Sequence, residues 1–158
     1  MFNKVSIIIN CFNSEKYLKQ CLESVINQTY QNFEAIIWDN QSTDNTKKIF
    51  DQFKDNRLKY FYSEKFTNLS EARNRALEKI SGNYIAFLDS DDEWHYTKLE
   101  KQLNFMKQNN VDISFTNYFK KIEGKKFSKI RKYYHKFPKK NLIENLLKLY
   151  IVSISTVI

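Results

Sequence analysis

The sequence predicts an α/β fold, in which a mostly parallel sheet is flanked by helices on both faces. Apolar runs typical of buried strands alternate with amphipathic stretches typical of helices from the start of the chain. This alternation is typical of right-handed βαβ units. The chain of 158 residues is long enough to bury a sizeable core. It contains no run of about 18 apolar residues, which a membrane-spanning helix would need.

The first two strand–helix pairs occupy the first third of the sequence. Residues 5–9 form an almost continuous apolar run, which predicts a buried strand. In residues 14–28, apolar side chains recur at the spacing of one helix face. Residues 33–38 predict a second strand, and residues 43–53 predict a second helix with its apolar side chains facing inward.

The same alternation continues through a third and a fourth pair. Residues 58–62 predict a short third strand, and residues 69–80 predict a third helix. Gly82 follows this helix at the position where a left-handed cap is wanted. Residues 84–88 predict a fourth strand that is buried on both faces, and residues 99–106 belong to a fourth helix.

The pattern loosens in the last quarter of the chain. Residues 111–119 predict a fifth strand, residues 141–150 predict a short helix, and residues 151–158 alternate like a strand. Because the chain stops inside this last element, we expect it to be a fragment of a longer protein. We therefore divide it into a core at residues 1–119 and an incomplete region at residues 120–158.

Positive charge is concentrated in one aromatic-rich segment. The formal net charge is +8, and residues 120–140 hold ten lysines and arginines against the single acid Glu123. Such a segment could contact anionic lipid head groups, phosphorylated substrates or nucleic acid, and a solvated basic face is the simpler interpretation. We expect peripheral contact with an anionic membrane and no nucleic acid partner.

Cysteine and glycine are scarce, and this excludes several kinds of site. Cys11 and Cys21 fit no metal-ligand or redox spacing, so we expect two reduced thiols in a cytoplasmic protein. With only Gly82 and Gly124, the sequence contains neither a G-x-G-x-x-G turn nor a P-loop. Any nucleotide must therefore be bound without a glycine-rich phosphate loop.

Polar residues follow three of the predicted strands. They are the segments 10–13, 39–42 and 89–92. Ligands of an open parallel sheet bind at the carboxyl ends of its strands, so the three segments would share one edge. Turn and cap chemistry explains each segment taken alone. Together they predict a binding site at this edge.

The third of these segments begins a cluster of acids. Asp89, Asp91, Asp92 and Glu93 crowd the end of the fourth predicted strand. Carboxylates this close repel one another unless a cation offsets their charge. Their hard oxygen atoms suit Mg²⁺ or Mn²⁺, which can bridge to the phosphates of a substrate. A solvated acidic turn that caps the next helix is the alternative.

Four segments stand in an order and spacing that is highly specific. They are Val5-Ser-Ile-Ile-Ile-Asn-Cys-Phe-Asn13, Ile37-Trp-Asp-Asn-Gln-Ser-Thr-Asp-Asn-Thr46, Leu69-Ser-Glu-Ala-Arg-Asn74 and Phe87-Leu-Asp-Ser-Asp-Asp-Glu-Trp94. In these segments the chain resembles the family 2 inverting glycosyltransferases over about residues 4–119. The resemblance implies the Rossmann-like GT-A fold. It also implies transfer of a sugar from a nucleoside diphosphate sugar, of UDP or dTDP type, to a saccharide or lipid-linked acceptor.

The resemblance implies roles for individual residues. The end of the first strand would lie beside the base and the ribose, and the end of the second strand would contact the base. Arg73 would support the Asp89 loop, and Asp91 would ligate the divalent cation. The implied donor-binding residues are Asn10, Cys11, Phe12, Asp39, Asn40, Arg73, Asp89 and Ser90, and the implied ligands of Mg²⁺ or Mn²⁺ are Asp91 and Asp89.

The chain departs from the family pattern at three positions. The family usually has proline where Asn10 stands and glycine where Gln41 and Asn68 stand. Asn10 should make the first turn less rigid, and Gln41 is expected to avoid the positive φ that glycine permits. Asn68 is the least costly replacement, since asparagine tolerates the left-handed region. These departures affect the shape of the loops more than their chemistry.

The family's catalytic base has no recognisable counterpart. Inverting transfer needs a carboxylate that takes the proton of the acceptor hydroxyl. Past Asp112 the chain offers only Glu123 and Glu144, neither in a family context. We therefore expect the base to lie beyond Ile158 and this donor-binding portion to have feeble transferase activity at most. We expect it in the cytoplasm, or peripherally at the inner face of the membrane.

Three other interpretations stay open. A phosphotransferase of the haloacid dehalogenase type also carries Asp-x-Asp after a strand. That family, however, has threonine or valine where Glu93 stands and places the motif on its first strand. The chain could also bind a nucleotide without chemistry, or act as a nucleic-acid or membrane adaptor through its basic segment.

Overall fold

A computed structural model of the chain describes residues 4–120, 131–132 and 154–158. Its centre is a parallel four-stranded sheet of order β3-β2-β1-β4. The strands are β1 Val5–Cys11, β2 Phe33–Asp39, β3 Leu58–Tyr62 and β4 Tyr84–Phe87. The helices are α1 Leu18–Ile26, α2 Thr46–Phe50, α3 Leu69–Leu77 and α4 Lys98–Asn109. The four predicted strand–helix pairs are therefore confirmed.

Apolar side chains cover both faces of the sheet. Ile7 and Ile9 of β1 face a core that includes buried residues of α1 and α4. Ile8, which points the other way, belongs to a second cluster with Ala72 and Ala76 of α3. Because both faces are buried, the strands can be continuous apolar runs rather than alternating ones. The expected α/β architecture with helices on both faces is confirmed.

The predicted fifth strand is wrong. Within residues 111–119, Phe115 forms one isolated antiparallel bridge with Val157, and Phe119 begins a two-residue strand β5 (Phe119–Lys120) that pairs with β6 (Arg131–Lys132). The alternating side chains Val111 and Ile113 are 38% and 67% exposed, so no sheet face buries them. Apolar alternation predicts a strand only where a neighbouring strand and a core are available.

The end of the chain also differs from its prediction. Ile154–Thr156 form a 3₁₀ turn rather than a strand. This turn lies beside β4, and Ile158 is buried in the core that faces α1. The predicted helix at residues 141–150 and nearly all of the basic segment 120–140 lie outside the described residues. Among the described residues, no helix is long and apolar enough to cross a membrane.

Gly82 does not form the expected left-handed cap. Helix α3 ends at Leu77, and the glycine has no left-handed φ. A Cβ atom at this position would lie 2.6 Å from the carbonyl oxygen of Lys4 and 2.8 Å from the backbone nitrogen of Ser6. The position requires glycine because the chain before β4 approaches the start of β1 too closely for a side chain.

Replacing Gly82 by alanine should lower the free energy of unfolding by about 1–3 kcal/mol, the usual cost of overpacking. The carbonyl oxygen of Lys4 and the nitrogen of Ser6 both belong to the backbone, which limits relaxation around the added Cβ. Urea denaturation measures the effect. The exposed neighbour Asn83 provides the control, because Asn83→Ala should stay within about 0.5 kcal/mol of wild type. An equally stable Gly82→Ala variant would contradict this explanation.

Candidate functional site

Hydrogen bonds join the loops that follow β1, β2 and β4. The backbone nitrogen of Asn40 donates to the carbonyl oxygen of Cys11 at 2.8 Å, and that of Asn13 donates to Ser42 Oγ at 2.9 Å. The hydroxyls of Ser14 and Ser90 lie 2.9 Å apart, which links the first loop to the acidic loop. The structure thus brings the three polar segments to the same edge of the sheet.

The three residues at the end of β1 have different surroundings. Cys11 is 1% exposed, and burial, followed by the nearby charge of Asp39, raises the pKa of its thiol well above the usual range. Phe12 is half exposed, and its ring centroid lies 4.9 Å from that of Phe66. The side-chain nitrogen of Asn10 is buried and has no partner among the described residues. Of these three residues, Phe12 is the one that offers a large open surface.

Asp39 is fully buried and shapes the turn that follows β2. Its Oδ1 accepts a hydrogen bond from the backbone nitrogen of Ser42 at 2.7 Å, and its Oδ2 accepts one from the hydroxyl of Tyr60. Both carboxylate oxygens therefore already hold parts of the protein. A contact between Asp39 and a nucleotide base stays a prediction.

The expectation that Gln41 avoids a positive φ is wrong. Its φ is 69°, in the left-handed region. Its side-chain Nε2 donates to the carbonyl oxygen of Glu64 at 2.8 Å, so a contact with the loop after β3 helps to stabilise this conformation. The cost of the left-handed region is about 1–2 kcal/mol for a residue with a Cβ. The turn thus keeps the shape that a glycine would adopt.

Asn40 ties the same turn to the loop that follows β3. Its Nδ2 donates to the carbonyl oxygen of Thr67 at 2.7 Å, and its Oδ1 accepts from the backbone nitrogen and the hydroxyl of Thr67, both at 3.1 Å. Thr67 stands next to Phe66, whose ring contacts Phe12. Asn68 does not use the left-handed region that asparagine tolerates, because its φ is −70°. It caps α3, since its Oδ1 accepts a hydrogen bond from the backbone nitrogen of Glu71.

Arg73 and Asp89 form an ion pair across the edge. Nη2 of Arg73, on α3, lies 3.0 Å from Oδ1 of Asp89, and the two side chains are 26% and 42% exposed. The structure therefore brings these two predicted donor-binding residues together. Because both are partly open, the pair can still exchange partners with a charged ligand.

The acidic loop forms a tight turn after β4. The backbone nitrogen of Asp92 donates to the carbonyl oxygen of Asp89 at 3.0 Å. Partial burial, together with the charges of Asp91 and Asp89, raises the pKa of the Asp92 carboxyl, although a hydrogen bond with Ser155 opposes this. Asp91 is exposed, and its side chain forms no hydrogen bond or ion pair with the described part of the chain.

Trp94 anchors the far side of this loop. Its indole Nε1 donates to the carbonyl oxygen of Ser155 at 2.8 Å, and the Nζ atom of Lys98 lies 4.1 Å from the centroid of the indole ring. Lys98 is 9% exposed, donates to Gln102 Oε1 at 2.6 Å, and has a pKa that burial lowers to about 7. These contacts of Trp94 and Lys98 therefore hold the end of the loop in place.

Three contributors to the edge were not predicted as parts of a site. Ser14 bonds to Ser90, Phe66 contacts Phe12, and Ser155 bonds to the acidic loop. A serine or a phenylalanine alone carries no chemical signal in a sequence. Only the fold shows that these residues are neighbours of the polar segments.

The chain is similar to known glycosyltransferases in sequence and in structure. The family model "Glycosyl transferase family 2" matches residues 6–156. TuaG of Bacillus subtilis (strain 168), a glycosyltransferase named for teichuronic acid biosynthesis, is 43% identical over 116 residues, which are 72% of this chain and 46% of TuaG. The Escherichia coli protein WfgD, named as a UDP-Glc:alpha-D-GlcNAc-diphosphoundecaprenol beta-1,3-glucosyltransferase, is 42% identical over 114 residues, which are 72% of this chain and 45% of WfgD.

The structure of Staphylococcus aureus TarS residues 1–349 in complex with UDP-GlcNAc has the same fold. It superposes with a TM-score of 0.70 and 29% sequence identity, covering 78% of this chain and 36% of that one. The chain thus spans less than half the length of the curated relatives it matches here. Because the family model covers nearly all of it, the chain belongs to glycosyl transferase family 2 and has the GT-A fold.

Proposed function

We propose that this chain binds a nucleoside diphosphate sugar at the carboxyl edge of its sheet, as the donor-binding portion of an inverting glycosyltransferase. One observation carries the proposal: Asp91, an exposed acid without a partner among the described residues, stands at the same edge as the Arg73–Asp89 pair and the open ring of Phe12. The acid would serve the cation on the diphosphate, the ion pair would serve the charged diphosphate and the sugar, and the ring would serve the base. WfgD, whose name contains UDP-Glc, and the solved complex of TarS with UDP-GlcNAc support UDP over dTDP as the nucleotide.

The acids of the edge fit a divalent cation that the substrate helps to hold. Within the described residues, no group of three or more acidic, histidine or cysteine side chains could hold a metal ion by itself. Mg²⁺ and Mn²⁺ do not need such a cage, because they are commonly bound by one or two carboxylates, water and substrate phosphates. Asp91 would supply the free carboxylate, and Asp89 a second one that Arg73 already contacts. The bound cation would offset the negative charge of the departing diphosphate.

The other residues of the edge would bind and orient the donor. Phe12 would provide an apolar surface for the planar base. Arg73, whose guanidinium is partly exposed, would attract the diphosphate while it steadies the acidic loop. Asn40 and Asp39 hold the neighbouring loops in place through the hydrogen bonds described above. Cys11 would help to hold these loops through its carbonyl oxygen, which accepts from the backbone nitrogen of Asn40. Ser90 would do so through its contact with Ser14.

Transfer to an acceptor is the part of the proposal that depends on the whole protein. A saccharide or lipid-linked acceptor, the inverting outcome, a cytoplasmic location and contact with an anionic membrane through residues 120–140 are all proposals. The general base is also a proposal, since we assign none among the described residues. Since the chain spans less than half of TuaG and WfgD, nucleotide binding without transfer is the second candidate function.

UDP together with Mn²⁺ should stabilise the chain against heat. At a ligand concentration about 100 times the dissociation constant, binding adds about 2.7 kcal/mol. For a chain of this size, the melting temperature would rise by about 5–10 °C. Differential scanning calorimetry with UDP, with Mn²⁺ and with both measures the effect. Release of sugar from UDP-sugars, with and without saccharide acceptors, then separates a transferase from a binding protein. Absence of any shift with UDP or dTDP, with either metal, would refute the proposed function.

A further inference from the structure

Ser155 contacts two parts of the acidic loop although it lies more than 60 residues away in the sequence. Its Oγ accepts a hydrogen bond from the backbone nitrogen of Asp89 at 3.1 Å. Its carbonyl oxygen accepts the indole hydrogen of Trp94 at 2.8 Å. One residue, 6% exposed, therefore holds both the beginning and the end of the loop.

The segment that carries Ser155 is itself fixed to the fold. Nε2 of Gln102, on α4, donates to the carbonyl oxygen of Thr156 at 3.0 Å. Ser114 and Ile158 exchange two backbone hydrogen bonds of 2.9 and 3.0 Å. Ile158 is 5% exposed and belongs to the core. The hydrogen bonds of Thr156 and Ile158 and the burial of Ile158 therefore hold Ser155 in place.

The hydrogen-bonding capacity of one hydroxyl explains what this attachment does. A serine hydroxyl has one hydrogen to donate and can also accept. Here it accepts from the backbone nitrogen of Asp89, which holds the start of the turn against the protein. Asp91, between Asp89 and Trp94 in sequence, is left exposed and without a partner among the described residues. The backbone of the turn is therefore held at Asp89, while the side chain of Asp91 stays exposed.

We propose that Ser155 is a positioning residue that fixes the acidic turn so that Asp91 is presented to the divalent cation of the donor complex. This inference rests on the proposed function, because it assumes that the edge binds a metal with a nucleoside diphosphate. Ser155 does not touch the ligand. It acts through the backbone of Asp89 and the indole of Trp94, as outer-shell partners of metal sites do.

The test measures how much Mn²⁺ the chain needs to bind UDP. Isothermal titration calorimetry with UDP at increasing Mn²⁺ gives the concentration for half-maximal binding in wild type, Ser155→Ala and Ser155→Thr. We expect Ser155→Ala to raise this concentration about 10-fold, the lower end of the loss seen for outer-shell partners. Ser155→Thr keeps the hydroxyl, so the Mn²⁺ concentration that it needs should stay within about 2-fold of the wild-type value. If either variant does not fold, Ser155→Cys, which is close in size but a weak hydrogen-bond partner, replaces Ser155→Ala in the comparison.

A matched control separates positioning from general stability. Ser6 is also a fully buried serine, but its hydroxyl bonds to Glu34 and Gly82 at the opposite edge of the sheet. Ser6→Ala should lower the melting temperature without changing the Mn²⁺ requirement. The inference is overturned if Ser155→Ala shifts that requirement no more than Ser6→Ala does, while wild type binds UDP. Failure of wild type to bind UDP at any Mn²⁺ concentration would instead refute the proposed function.

Discussion

Asp91→Asn should weaken the Mn²⁺-dependent binding of UDP by about 100-fold or more. The change removes an exposed carboxylate of the turn that follows β4, the one that the proposal assigns to the cation. Loss of an outer-shell partner alone costs a metal site about 10–100-fold, so loss of a ligand should cost at least the upper value. Calorimetric titration of UDP in the presence and absence of Mn²⁺ measures the effect. Binding without metal should be nearly the same in the variant and in wild type.

The same variant should not destabilise the fold. The amide side chain has nearly the same shape as the carboxylate it replaces, and one of the negative charges that raise the pKa of Asp92 would be gone. The melting temperature without ligand should therefore stay equal or rise slightly. Glu93→Gln, which removes an equal charge two residues away, is the control and should keep most of the affinity. If both variants lose affinity equally, the acids act through their summed field and Asp91 is not a specific ligand.

The sheet could be predicted because its strands correspond to apolar runs in the sequence. Ile7, Ile8 and Ile9 are all buried, and a strand with this composition is stable only with both faces covered. That the three polar segments meet at one edge followed from the same argument, since residues after parallel strands share the carboxyl end of the sheet. Side-chain type and local order were sufficient for these conclusions.

The remaining features depend on contacts between distant parts of the chain. Gln41 adopts a left-handed backbone, and a contact with Glu64 helps to hold it there, which no local propensity indicates. Gly82 is needed because Lys4 passes close to it, not because it ends a helix. Ser155 becomes part of the site only when the 3₁₀ turn packs beside β4. Residue spacing and composition do not predict such contacts, because the contacting residue lies elsewhere in the sequence.

Glu34, at the edge of the sheet opposite the site, is a buried acid with many partners. Its side chain is 2% exposed and lies 2.9 Å from the Nζ atom of Lys4 and 2.7 Å from that of Lys59. The hydroxyl of Ser6 donates to it at 2.8 Å, and Ser81 donates through its backbone nitrogen and its hydroxyl at 2.6 and 2.8 Å. These contacts join β1, β2 and β3 to the segment that leads into β4.

Glu34→Gln should lower the free energy of unfolding by about 3 kcal/mol, the lower end of the cost of breaking a buried ion pair. The lower end applies because Lys4 and Lys59 are partly exposed and can be solvated by water after the change. In this size range the melting temperature would fall by about 6–12 °C. Glu78→Gln is the control, since Glu78 is 59% exposed and lies 3.9 Å from its partner Arg75. Its effect should stay below about 1 kcal/mol.

The contribution of Glu34 should also disappear in acid. Burial alone would raise its pKa, but the hydrogen bonds from Lys59, Lys4, Ser6 and Ser81 outweigh burial and hold the pKa well below its ordinary value of 4.5. A carboxyl whose pKa is lower in the folded state stabilises the protein fully above its unfolded pKa, and that contribution is lost as the pH falls toward the folded value. The difference in unfolding free energy between wild type and Glu34→Gln, measured by urea denaturation, should therefore be constant from about pH 7.5 to 5.5 and shrink below about pH 4.5. A difference that stays the same down to the acid-unfolding limit would mean that the charge of Glu34 contributes nothing and that its hydrogen bonds alone hold the edge together.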